Sequence, residues 1–131
     1  MHDTPPCAEL HLHIEGTLEP ELIWELAETN GIDLPYADLA DLRARYEFTD
    51  LQSFLDLYYA NMAVLQTADD FARMARAYFE RAAVGNVRHA ELFFDPQAHL
   101  VRGVDLATVV AGLSEAVATS EAEFGISSAL I

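Results

Sequence analysis

The sequence predicts an α/β fold in which parallel strands alternate with helices. Three observations carry this expectation. Glu9 to Glu15 alternates strictly between apolar and polar residues, the middle of the chain carries apolar stripes at helical spacing, and two later apolar runs, Val87 to Phe94 and Ile126 to Ile131, read as strands. The order strand, helices, strand, helix, strand implies parallel pairing through right-handed crossovers, with helices covering the sheet.

Each element has its own signal. In the first strand Leu10, Leu12 and Ile14 are expected on one face, and Glu9, His11, His13 and Glu15 on the other. Gly16 ends it, Thr17 is expected to cap the next helix, and Pro20 suits a first turn, whose amides lack intrahelical partners. Leu22, Ile23, Leu26 and Ala27 follow at helical spacing, and Asn30-Gly31 is a stop signal. A short segment spans Leu39 to Tyr46, and Thr49 to Gln52 has the form of a capping box opening a helix to about Met62. Thr67 to Asp70 opens another, whose Phe71, Met74, Ala75, Tyr78, Phe79 and Ala82 form one apolar stripe before Gly85-Asn86. Asp105 is expected to cap a last helix bearing Leu106, Val109, Val110, Leu113 and Val117, closed by Gly125. An open doubly wound sheet and the start of an eight-stranded β/α barrel both fit this order; a barrel takes about 250 residues.

Composition bounds the function. The chain has 131 residues, 52% of them hydrophobic, which suits one core and excludes a disordered segment. Its 22 acidic and 7 basic side chains, the latter all arginine and scattered, give a formal net charge of −15. Such a surface repels phosphate backbones and anionic lipid, so neither nucleic acid nor a membrane is an expected partner. The lone Cys7 supplies neither an internal disulfide nor a multi-cysteine metal site. The first six residues carry no secretory pattern and no apolar run reaches membrane-spanning length, so a cytoplasmic protein is expected.

The chemistry centres on His11-Leu12-His13. Positions i and i+2 of a strand share a face, so both imidazoles can reach one metal ion; two surface histidines flanking a core leucine also fit a three-letter pattern. Context favours the metal. The pair falls near the C-terminal end of a first strand, where barrel active sites are built, and neutral imidazole suits catalytic zinc. Glu15 is expected on the same face, and Gly16 lets the chain turn there. His13-Ile14-Glu15 also fits half of a zinc cytidine-deaminase signature, but the required later Pro-Cys-x-x-Cys is missing.

Longer blocks carry a resemblance. Residues 6–36 (PCAELHLHIEGTLEPELIWELAETNGIDLPY), 51–67 (LQSFLDLYYANMAVLQT) and 89–104 (HAELFFDPQAHLVRGV) resemble, in order, the N-terminal part of the adenosine/adenine deaminases of the metal-dependent hydrolase superfamily. The resemblance implies that residues 1–131 form one partial domain, the N-terminal portion, about two and a half βα units, of a TIM-type (β/α)8 barrel with extra helices between the first two strands. It implies one zinc ion, with His11 and His13 as its first two ligands, and a small purine substrate. Glu15 stands where adenosine-specific members carry an Asp that contacts the ribose. The HLHIEGTLEPEL and FFDPQAH segments resemble members acting on free adenine more closely, so adenine is the expected substrate and adenosine the alternative.

Leu51, Phe54, Leu55 and Tyr58 match an apolar helix that lids the family's pocket, and their i, i+3, i+4, i+7 spacing equally fits core packing. Phe94 is a candidate wall for the purine, or core. Asp95, Gln97 and His99 read as a solvated loop, and His2 precedes the fold. The family's third His ligand, Asp ligand and proton-donating Glu match no residue of this sequence. The isolated chain is therefore expected to be inactive, and an inactive remnant or a binding module is the alternative of another class.

Overall fold

A computed structural model describes residues 4–131; His2 lies outside the described residues. The element order is β1 (Cys7–His13), a 3-10 turn (Ile14–Thr17), α1 (Pro20–Asn30), α2 (Leu39–Ala44), α3 (Leu51–Asn61) and a second 3-10 turn (Met62–Val64). Then follow α4 (Ala68–Val84), β2 (Val87–Phe93), α5 (Pro96–Leu100), α6 (Leu106–Phe124) and β3 (Ser127–Leu130). The strands form one parallel sheet in the order β1-β2-β3. Among the described residues no helix is long and apolar enough to cross a membrane.

The expected alternation in β1 breaks. Glu9 pairs with Ala90 and Leu12 with Leu92, so three residues of β1 span two of β2, a bulge at Leu10-His11. Glu9 thereby shares the helix-facing side with Leu12, and its carboxylate accepts a 2.6 Å hydrogen bond from the Tyr78 hydroxyl of α4. Leu10, expected in the core, is 61% exposed. The strand also stops at His13, and Glu15 sits in the following 3-10 turn, buried, rather than beside the histidines.

The core lies between the sheet and helices α4 and α6. The α4 stripe is buried as its spacing predicts, in one core cluster with Ala90 and Leu92 of β2 and Ile126 just before β3. Its start is a capping box between Thr67 and Asp70. Two expected caps differ. Thr17 donates to the Ile14 carbonyl instead of capping α1, and α3 is capped one residue later than expected, by Asp50 with Ser53. The sequence offers a hydroxyl-led register from Thr49 and a carboxylate-led one from Asp50; the carboxylate is the stronger acceptor for a helix amide.

The buried face of α6 is Val109, Gly112, Leu113, Ala116 and Ser120, rotated from the expected stripe so that small residues meet α4 and Leu106 stays exposed. A Cβ on Gly112 would lie 2.2 Å from the Ala68 carbonyl oxygen and 2.8 Å from the Phe71 Cβ. Gly112→Ala gains about 1 kcal/mol of helix propensity, but overpacking against fixed backbone costs roughly 1–3 kcal/mol or more. A net loss of stability is expected in equilibrium denaturation; a more stable variant would show that α6 shifts freely over α4.

Candidate metal centre and adjoining cleft

His11 and His13 emerge on the same side of β1, at its C-terminal end. Their Nε2 atoms are 3.2 Å apart. Two nitrogens bound to one tetrahedral zinc at 2.0–2.1 Å stand about 3.3 Å apart, so the pair already has the spacing of two ligands on one ion. Without a cation that spacing is also a hydrogen bond in which the rings share a proton. Phe93, which pairs with His13 across β1 and β2, holds both rings: its centroid is 4.6 Å from that of His11 and 5.9 Å from that of His13. Nothing in the sequence pattern singled out Phe93, because the contact depends on strand register. Among the described residues no third His, Cys, Asp or Glu joins the pair in a metal-binding cluster.

Beside the histidines lies a cleft of about 530 Å³, bounded by His13, Gly16, Phe54, Leu55, Tyr58, Tyr59 and Phe94 together with the Asp95-Pro96-Gln97 turn. That volume is within the range of small-molecule sites, roughly 300–1,000 Å³. Phe54 and Tyr58 stack at 5.8 Å and form the α3 wall. Leu51, at the first turn of α3, is 70% exposed and does not border the cleft. Burial, then the Glu15 and Asp95 carboxylates, push the Tyr58 phenol above its ordinary range, so it remains an O–H at neutral pH. A second hollow of about 240 Å³ shares Gly16, Phe54 and Tyr58 with this cleft and is lined by Glu15.

Glu15 turns inward. Its Oε1 accepts from the Asp95 amide at 2.6 Å and lies 3.0 Å from His99 Nε2, joining the exits of β1 and β2. The Asp95–His99 segment, expected as a solvated loop, instead forms α5, and the side chain of His99 is fully buried. Asp95 and Pro96 are the cap and N1 residues of that helix, a signal present in the sequence but short enough to pass for a turn.

Comparison with known proteins fits this geometry. The chain is 60% identical to the adenine deaminase of Rhodospirillum rubrum and 62% identical to that of Streptomyces coelicolor, each over 126 residues that make 96% of this chain. These matches cover 38% and 37% of the two relatives, so the chain spans less than two fifths of their length. The crystal structure of adenine deaminase from Arthrobacter aurescens superposes with a TM-score of 0.94 at 69% identity, covering 97% of this chain and 39% of that one. An amidohydrolase from Burkholderia ambifaria, solved with bound zinc, gives 0.80 at 31% identity, covering 96% of this chain and 35% of that one. The parallel sheet and its crossover helices are thus the opening βα units of a TIM-type barrel. The sequence profile of adenosine deaminase matches residues 6–131, nearly all that the structure describes, and the chain belongs to the adenosine deaminase family.

Proposed function

We propose that the protein takes part in zinc-dependent hydrolytic deamination of a purine base, converting adenine and water to hypoxanthine and ammonia, as a step of purine salvage. The observation that carries this reading is the 3.2 Å separation of the His11 and His13 Nε2 atoms at the mouth of β1. Relatives named adenine deaminase, matching 96% of the chain, support the substrate. His11 and His13 would hold the ion through their Nε2 atoms. A zinc ion in such a site supplies a water nucleophile near neutral pH. The remaining ligands and the proton donor come from outside these 131 residues, consistent with the two-histidine limit among the described residues.

The cleft gives the base its place. Phe54, Leu55, Tyr58 and Phe94 offer apolar and aromatic surface to a flat ring and exclude water from it. To Glu15, which lines the adjoining hollow that shares Gly16, Phe54 and Tyr58 with the cleft, we assign the side on which a nucleoside would carry its sugar. Leu51, exposed and outside the cleft, has no part in this wall. The protein as its gene encodes it is expected to carry zinc and to release ammonia from adenine in preference to adenosine, measured side by side. A clear preference for adenosine, or no turnover of either by zinc-loaded protein, defeats the proposal.

A further inference from the structure

Behind the cleft, one buried carboxylate oxygen has no partner. Oε1 of Glu15 accepts both the Asp95 amide and the His99 contact, whereas Oε2 is buried and receives no hydrogen bond. An unpaired buried acceptor is costly, so one that persists calls for a reason.

Its orientation is set from the far side. Arg102 is a donor only, and its guanidinium lies 2.8 Å from His99 Nδ1, so Nδ1 accepts and the ring proton resides on Nε2, directed at Glu15. The second terminal nitrogen of Arg102, Nη1, donates to the Leu65 carbonyl at 2.9 Å, and the Phe71 ring meets His99 edge-on at 4.8 Å. Neither imidazole nor carboxylate can rotate without stranding a partner. Glu15 lines the hollow bounded by Gly16, Phe54 and Tyr58, the same residues that border the cleft beside His13.

We propose that His99 and Arg102 are positioning residues that hold Glu15 so that its free Oε2 accepts an N–H from the substrate, and that this contact selects a free purine over its nucleoside. A free purine carries an N–H on its five-membered ring; a nucleoside carries the sugar there and has no proton to give. A site that leaves a buried acceptor unpaired rejects such an analogue by as much as roughly 10⁴–10⁵-fold. This inference rests on the purine deaminase reading above.

The test uses the protein as its gene encodes it, with kcat/KM for adenine and for adenosine normalised to zinc-loaded protein. His99→Leu deletes the donor, and the adenine-to-adenosine ratio is expected to fall by at least about tenfold. In His99→Gln the side-chain amide can both donate to Glu15 and accept from Arg102, and the ratio is expected to stay within about threefold of wild type. A purely structural role would lower both substrates alike. An unchanged ratio in folded His99→Leu overturns the positioning role while leaving the adenine reading intact; a wild-type preference for adenosine overturns both. If His99→Leu does not fold, ¹⁵N spectra of histidine-labelled wild type decide: an Nε2–H tautomer at His99 supports the proposal and an Nδ1–H tautomer overturns it.

Discussion

Replacing either His11 or His13 by Ala, in the protein as its gene encodes it, is expected to weaken zinc binding by more than a hundredfold and to remove ammonia release with it. Loss of an outer hydrogen-bond partner of a metal-ligating histidine already costs about 10–100-fold in affinity, and here a ligand itself is deleted. At a 3.2 Å Nε2 separation, an ion placed on one ring lies within reach of the other. The measurement is zinc content after dialysis, together with a competition titration against a chelator, so that the result does not depend on turnover. Full zinc retention in both single variants would show that the rings merely share a proton on an exposed strand end.

The fold was legible where the signal is local. Helical stripes such as Phe71, Met74, Ala75, Tyr78, Phe79 and Ala82 follow from the period of the helix alone, and all are buried. The His11-His13 pair was legible for the same reason, since i and i+2 of one strand need no other part of the chain. What escaped depends on register or on distant partners. The bulge at Leu10-His11 exists only because β2 pairs beside β1, and it moves Leu10 out of the core. His99 reads as a loop residue until the structure brings it to Glu15, 84 positions earlier in the chain. Gly112 carries no signal of its own as a helix residue; the approach of the Ala68 carbonyl makes it necessary.

Asp70→Ala is the substitution expected to cost most in stability. Asp70 is 2% exposed, and its Oδ2 accepts three hydrogen bonds: from Asn30 Nδ2 at 2.8 Å, the Thr67 amide at 2.9 Å and the Gln66 amide at 3.0 Å. Alanine strands all three donors and removes half of the capping box, a loss on the order of 3–5 kcal/mol. Asp70→Asn keeps an acceptor oxygen but not the charge, and about 1–2 kcal/mol is expected. Equilibrium denaturation of the two variants beside wild type measures both. An Asp70→Ala protein within about 1 kcal/mol of wild type would mean that water replaces the carboxylate and that the site is not closed. The same junction also reaches the proposed substrate cleft. Asn30 donates to the Val64 carbonyl as well as to Asp70, and the next residue, Leu65, provides the carbonyl that anchors Arg102. Loosening the turn before α4 therefore releases one end of the Arg102–His99–Glu15 chain, so Asp70→Ala is expected to move substrate selection in the same direction as His99→Leu, though its cause lies at the Asn30–Asp70 junction, far along the chain from Glu15.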